Sequence, residues 1–422
     1  MAPSETSPRN GFAPAKPALE PRLARVASGK LATMREAVLR LKKGREARAR
    51  THPWIFKGDV ADAAAEPGAV VTVIDATGRF LGRGLYNPRP ALCCRLLTRR
   101  DEPVDRALFH RRVADAVALR SGGGPPPDLG RLVWSEADGL PGFVADRYGP
   151  VLAIQCLTLG MATRRSGLVA AVRAAVGSLP VFSIDDPTPA RLEGFEPVRG
   201  WFDEAGPARV VVEEGRVRLD VSLGAGQKTG LYLDQRDNRM RVEALAVGRA
   251  VLDAFAYTGA FACHALVGGA QRALCIESSP DAIAGARDNL ALNGVADQAE
   301  IVAGNAFDEL RRLDRAGVRF GLVVLDPPPF APRRDALEAA ARGYKEINLR
   351  AIRLVEPGGF LATFSCSHHV SAGLFEEICR DAAADAGVAL RVVQTLTQST
   401  DHPVILTVPE THYLKGLLLQ AV

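Results

Sequence analysis

Apolar and polar positions alternate in three different ways along the chain. Over residues 31–105 the apolar runs are short: "GAVVTVIDATG", "FLGRGLYN" and "ALCCRLLT", separated by Gly, Asp and Pro. That rhythm predicts a small β-barrel. A helical stretch, "DRALFHRRVADAVALR", and a Gly/Pro hinge, "SGGGPPPDLG", lead onward. Residues 106–215 mix the two periods. "GFVADRYG" and "VLAIQCLTL" read as a strand pair and "RRSGLVAAVRAAV" as a helix, which makes an α+β unit. Residues 216–422 alternate strand and helix regularly. Strands are expected at "AVLDAF", "ALCIES", "AEIVAG", "GLVVLD", "FLATFS", "LRVVQTL" and "YLKGLLLQ", with helices such as "SPDAIAGARDNLALNG" and "ALEAAARGYKEINLRAIRLV" between the earlier ones. Near-continuous Val/Leu strands with crossover helices predict an α/β fold with a doubly wound parallel sheet. The last two strands have no long helix between them, so they pair as a hairpin and put one antiparallel strand in that sheet. Residues 1–30, opening "MAPSETSPRNGFAPAKPALEPR", read as a disordered polar tail.

Composition narrows the class without naming a function. The chain has 422 residues, 47% hydrophobic and 24% charged, a length that suggests two or three domains. The longest apolar run, "VLAIQCLTLGMA", is too short to span a bilayer and contains Gln155. The tail lacks the layout of a secretion signal, so a cytoplasmic location is the expectation. Seven cysteines show no CxxC pair and no zinc-ligand spacing, which fits reduced thiols and predicts no metal. A net charge of +5 permits a polyanionic partner without requiring one.

The chemistry lies at the ends of the third unit's strands, where open α/β sheets bind ligands. Asp253 closes the first strand and Gly259 lets the chain pass close to a ligand before a helix starts. A GxGxxG fingerprint is absent, which disfavours NAD. Glu277 ends the second strand, where an acid grips both hydroxyls of a ribose. Asn305 and Ala306 follow the third, where an adenine edge could be read. Asp326 ends the fourth in "LDPPPF", and Cys366 ends the fifth in "LATFSCSHHV". Each alone could be a cap or turn residue. In order on successive strand ends, they suit S-adenosylmethionine (SAM). In "GQKTGLYLDQRDNR", Gly226 and Gly230 mark turns, while Gln227, Tyr232 and Arg236 supply an amide, an aromatic face and a cation. Such a hairpin could lie over the donor and meet its carboxylate through Arg236. From the residues alone Cys366 is either a nucleophile or a packed thiol. Cys263, Cys275 and Cys379 read as packed.

The third unit resembles a class I SAM-dependent methyltransferase. From about residue 35 to the end, the chain resembles the PUA-containing family of large-subunit ribosomal RNA cytosine-C5 methyltransferases. "RTHPWIFKGDV" is similar to that family's PUA opening and "WSEADGLPGFVADRYG" to its middle domain. "GQKTGLYLDQRDNR" is similar to its pre-catalytic hairpin, "FSCS" to its thiol motif, and "DHPVILTVPETHYLKGLLL" to its C-terminal end. The resemblance implies a PUA-like RNA-binding domain over 31–105, a middle domain over 106–215 and a Rossmann-like methyltransferase domain over 216–422. It implies catalysis by Cys366 and Asp326, with SAM held by Gln227, Tyr232, Arg236, Asp253, Tyr257, Gly259, Glu277, Asn305, Ala306 and Asp326. It also makes a homodimer plausible. Three positions depart from the pattern: "DPPPF" carries no second cysteine, Pro329 stands where relatives commonly have Lys, and Asn305 where many have Asp.

Thiol chemistry suits this reaction because cytosine C5 is a poor nucleophile until C6 is attacked covalently. A cysteine is nucleophilic, and surroundings can lower its ordinary pKa of about 8.5. The neighbouring serines would help solvate a thiolate. A base must remove the C5 proton; His368 or His369 could serve. Two rivals stand beside this reading. One is methylation of an exocyclic amine or another position of an rRNA base, with Phe330 of "DPPPF" stacking on it. The other is a non-catalytic SAM- or RNA-binding protein. For the RNA, the run Lys42, Lys43, Arg45, Arg48 and Arg50 abuts Trp54, a pairing of phosphate neutralisation with an aromatic. Trp54 reads more readily as an anchor of the small barrel. The target is expected to be 23S-type rRNA before or during subunit assembly, since a stem cytosine must swing out to react.

Overall fold

The computed structural model describes residues 37–203, 205–207, 209–223, 230–331 and 336–422. The expected tail and Gln227 lie outside them.

The expected small barrel is a six-stranded mixed sheet built from strands between Val38 and Thr98. Its interior is a compact cluster that includes Leu39, Leu41, Ile55, Val71, Val73 and Leu96. Asp105 starts the next helix, Arg106–Ser121, by accepting from the Leu108 amide, and Gly122 ends it in the left-handed region. A five-stranded sheet between Leu129 and Trp201 follows, with Phe143–Tyr148 and Val151–Cys156 antiparallel as expected. Next comes a two-stranded hairpin, Arg209–Glu214 with Val217–Ser222.

The C-terminal sheet has seven strands: β1 (Ala250–Ala254), β2 (Arg272–Glu277), β3 (Ala299–Ala303), β4 (Phe320–Leu325), β5 (Val355–Ser365), β6 (Leu390–Thr397) and β7 (Lys415–Ala421). Their spatial order is β3-β2-β1-β4-β5-β7-β6. The first five are mutually parallel, and β7 enters antiparallel between β5 and β6. The strand order reverses between β1 and β4, so a crevice opens at their carboxyl ends. Helices α1 (Ala260–Val267), α2 (Pro280–Leu292), α3 (Ala306–Arg315), α4 (Leu337–Leu354) and α5 (Ala372–Ala386) pack on the sheet. Two apolar clusters cover it. One includes Val251, Phe261 and Leu322; the other includes Leu252, Val323 and Tyr344. Alternate residues of β1 and β4 thus serve opposite faces, the period of a sheet buried on both sides.

Of the expected hairpin at 226–239, residues 226–229 lie outside the described residues. The paired strands lie earlier, and Leu233–Gln235 is instead a 3-10 turn feeding the helix Arg236–Leu245. The alternation of "RVVVEEGRVRLDVS" explains the shift. Its valines and leucine are buried at every second position around Gly215, which takes the turn at φ 61°. Among the described residues no helix is long and apolar enough to cross a membrane.

Candidate active site at the strand ends

The loop after β1 is held under strain. Phe255 and Tyr257 have φ of 64° and 49°, and Gly259 has 71°. Left-handed backbone costs a non-glycine residue about 1–3 kcal/mol, and such strain concentrates at sites. Glu277 at the end of β2 pins this loop: its Oε2 accepts from the Tyr257 amide at 2.8 Å. Its Oε1 accepts from the amides of Ser278 and Ser279 at 2.7 and 2.8 Å. Gly259 passes α2 closely, since a Cβ there would sit 3.2 Å from that of Ala286.

Asp253 lies directly beneath this loop and is 1% exposed. Its Oδ2 accepts from the Ala262 amide at 3.1 Å, while Oδ1 is buried with no hydrogen-bond partner. Burial pushes its pKa up to about 8, and the charges of Asp326 and Glu277 add to the rise. A buried carboxylate left half-satisfied is an invitation to a cationic or hydrogen-bond-donating ligand.

At the other side of the switch point, Asp326 follows β4 and Cys366 follows β5. The Cys366 Sγ lies 3.8 Å from the Pro327 carbonyl, so the thiol sits against the Asp-Pro-Pro turn. Of the seven cysteines, the other six are buried and Cys366 is partly exposed. Tyr232 reaches the same place. Its ring meets that of Tyr257 edge-on at 5.2 Å, and it feels the charges of Asp326 and Cys366. Burial drives its phenol well above the usual range, so it stays neutral.

The remaining expected residues are placed with different partners. Asn305 caps α3, its Oδ1 accepting from the Phe307 amide at 2.9 Å, while Ala306 behind it is buried. Arg236 lies 3.2 Å from Asp401 and donates to the Leu129 carbonyl. The serines flanking Cys366 are also committed. Ser365 Oγ accepts from the Ser367 amide, and Ser367 Oγ meets Tyr344 at 2.9 Å and the Ala331 amide at 3.2 Å. They shape the turn rather than solvate the sulfur. Phe330 packs 4.6 Å from Tyr344 and 5.6 Å from Phe307, inside an aromatic cluster. His368 and His369 are exposed and meet edge-on at 5.5 Å.

The basic run is exposed around the helix Glu46–Thr51. Lys42 bonds the Gly58 carbonyl, Arg45 lies 3.7 Å from Asp59, and Arg48 lies over the Phe56 ring. Lys43 and Arg50 are exposed beside them. Trp54 is half-buried and donates to Glu136 at 2.9 Å, an anchoring role. His52 and Arg48 both contact Glu410, which ties this helix to the segment just before β7.

The chain is similar to known proteins along most of its length. Residues 198–419 match the S-adenosylmethionine-dependent methyltransferase family, and residues 39–99 match the PUA-like domain. A ribosomal RNA large subunit methyltransferase I of Alteromonas mediterranea is 38% identical over 377 residues, covering 88% of this chain and 95% of that protein. The chain belongs to this family of SAM-dependent methyltransferases. A protein of the same name from Klebsiella pneumoniae is 39% identical, covering 89% and 96% of the two chains. Among solved structures, a methyltransferase complexed with SAH superimposes with a TM-score of 0.79 at 17% identity, covering 90% of this chain and 99% of its own; that likeness speaks for the fold.

SAM is therefore the donor of this methyltransferase, and the strand-end residues fit it. Asp253 offers an unpartnered buried oxygen, Glu277 retains acceptor capacity on Oε2, and Gly259 opens the helix start. Two features of the methyltransferase were not anticipated from its sequence. One is the positive φ of Phe255 and Tyr257 in the loop after β1. The other is Lys415, buried at the start of β7 with its Nζ donating to the Ser367 and Tyr413 carbonyls. Its apolar neighbours in "YLKGLLLQ" hide it as a strand residue; only the register of β7 against β5 exposes its place.

Proposed function

We propose that the chain methylates C5 of a cytosine in large-subunit ribosomal RNA, with Cys366 as the attacking group. The observation that supports this most is the position of that thiol. It is partly exposed at a strand end, against the turn that carries Asp326, while the other six cysteines are buried. The similarity to ribosomal RNA large subunit methyltransferases I supports the substrate.

In this reading Cys366 bonds to C6 of the pyrimidine and pushes electron density onto C5. Bound SAM supplies an electrophilic methyl group. Asp326 bonds the base edge and stabilises the charge that attack creates. Asp253, Glu277, Tyr257 and Gly259 hold the donor, with Tyr232 packed across from Tyr257. A base takes the C5 proton, the C5–H electron pair restores the C5–C6 double bond, and the C6–S bond breaks so that sulfur leaves as the thiolate. The sheet at the N-terminal end holds the RNA through Lys42, Lys43, Arg45, Arg48 and Arg50, on 23S-type rRNA in the cytoplasm before assembly closes the site. Methylation of an exocyclic amine fits less well, because Phe330 would have to leave its aromatic cluster to stack on a base.

The test is to map the modified base in rRNA treated with the wild type and with Cys366→Ala. The reading predicts 5-methylcytosine with the wild type and a loss of at least about 10³-fold in rate with the variant, with SAM still bound. Retained turnover, with the methyl on a nitrogen, would overturn it.

A further inference from the structure

The chain between β6 and β7, residues 398–414, rises from the edge of the sheet that carries Cys366. β6 runs parallel to β5, so its carboxyl end lies at that edge. Lys415 pairs with Ser365 of β5 on one side and with Thr397 of β6 on the other, which sets the loop's base one strand spacing from the residue before Cys366. Hydrogen bonds close the loop on itself. The buried Gln398 staples it: Nε2 donates to the His402 and Thr411 carbonyls at 3.1 and 2.6 Å, and Oε1 accepts from the Tyr413 and Leu414 amides at 3.2 and 3.3 Å. Thr411 Oγ1 donates to the Val408 carbonyl at 2.7 Å and accepts from the Ile405 amide at 2.9 Å. Ile405 and Val408 pair across a tight turn, whose tip is Leu406 and Thr407.

Leu406 is 96% exposed; among the described residues the next large apolar side chain is the terminal Val422, at 71%. Single surface leucines are ordinary. Leu406 differs in being held out by its own turn. Val408, Thr411 and Leu414 are buried, so the loop has a core that Leu406 does not join. Val404 and Pro409 are exposed too, which makes the tip an apolar patch. The charges nearby say what covers it. Glu410, the one carboxylate between His402 and Lys415, meets His52 at 2.9 Å and Arg48 at 4.0 Å. The helix it touches, Glu46–Thr51, lies in the basic run, where Lys43 and Arg50 are exposed. Leu406 precedes Glu410 by four residues, so the two Cα atoms lie within about 14 Å even in extended chain. An apolar tip whose acid is neutralised, beside cations, fits a polyanion that has apolar faces to part. RNA offers both: phosphates for the cations and base planes for the leucine. A second copy of this chain, itself carrying +5, would match the leucine but set like charges together.

We propose that Leu406 is a wedge that enters the base stack of the RNA and fills the place left when the target nucleotide swings out. A base taken from a stack leaves an apolar gap, and its neighbours close that gap by stacking on each other or by readmitting it. A leucine held in the gap blocks both, which keeps the nucleotide extruded while it reacts. Gln398 and Thr411 fix the turn before RNA arrives, so little ordering is left to occur on insertion. Glu410 joins the tip's segment to the basic helix, so phosphate contacts and insertion share one register. The proposal rests on the chain's methylating a stacked base of ribosomal RNA, and adds which residue opens the stack.

The test uses the full-length protein and two RNAs built around the methylated base, one a hairpin with that base paired and one a strand with it unpaired. Each carries 2-aminopurine beside the target, which brightens when unstacked. Leu406→Ala should keep the thermal midpoint and SAM affinity of the wild type, since the side chain lies outside the core. On the hairpin its methyl transfer should fall at least about tenfold and the brightening should be lost. On the unpaired strand its rate should stay within about twofold of the wild type. Leu406→Met, apolar and of similar volume, should restore the hairpin rate. Equal losses on both RNAs, or none on either, overturn the proposal. So does a wild type that fails to brighten the hairpin, or a dimer in sedimentation that Leu406→Ala abolishes, which gives the tip to a second copy. The fluorescence arm needs no methyl transfer, so a wedge that fails there is told apart from a product that proves not to be 5-methylcytosine.

Discussion

Buried aspartates in two sheets of one molecule have opposite fates. Asp146 in the five-stranded sheet is fully buried and meets Arg131 twice, at 2.8 and 2.9 Å. Asp185 of the same unit is 3% exposed, pairs with Arg165 and accepts from the amides of Cys156 and Val198. Asp253 in the seven-stranded sheet is equally buried yet has one bond and one empty oxygen. Burial alone therefore does not mark a site. What differs is whether the chain itself completes the polar group. The middle unit spends its charges on its own cohesion. The strand-end crevice leaves Asp253 incomplete, beneath a loop strained at Phe255 and Tyr257.

The comparison breaks if the two kinds of carboxylate respond alike to substitution. The largest expected effect is from Asp146→Ala, which strands a buried guanidinium and should cost about 3–5 kcal/mol in denaturant unfolding. SAM affinity of the folded protein should be unchanged. Glu277→Ala comes next. Loss of a charged acceptor that also pins Tyr257 should weaken SAM binding about 10–100-fold by calorimetry, with a smaller change in stability. Asp253→Asn should have the opposite sign in the donor-free protein. Its folded pKa, about 8, lies above the unfolded value, so ionisation favours unfolding progressively as pH rises from about 4 to 8. The Asn variant escapes that loss. Its midpoint should exceed the wild type at pH 8 and show no gain at pH 4. A gain at both pH values would mean that packing, not charge, sets the difference.

Much of this was legible in the chain. Val/Leu runs at β1, β4 and β5 with crossover helices imply the parallel sheet, and the residue after each strand falls at the crevice as the topology requires. The antiparallel entry of β7 also follows from the missing helix before it. Other features depend on partners distant in sequence. Arg236 reads as an available cation because Asp401 is far along the chain. Ser365 and Ser367 read as solvating hydroxyls because Tyr344 and Ala331 arrive from other elements. Gly226 and Gly230 suggest a hairpin more strongly than does the alternation around Gly215, whose period shows only against a buried face. Lys415 is invisible until β7 is set in register.

The central claim is that the Cys366 sulfur bonds to the pyrimidine during turnover. It is tested most directly by offering rRNA transcribed with 5-fluorocytidine, whose C5 substituent cannot leave as a proton does. With SAM present, the wild type should form a protein–RNA adduct that survives denaturing electrophoresis, absent with Cys366→Ala. Methyl transfer to ordinary rRNA with no trapped adduct on the fluorinated RNA would contradict it.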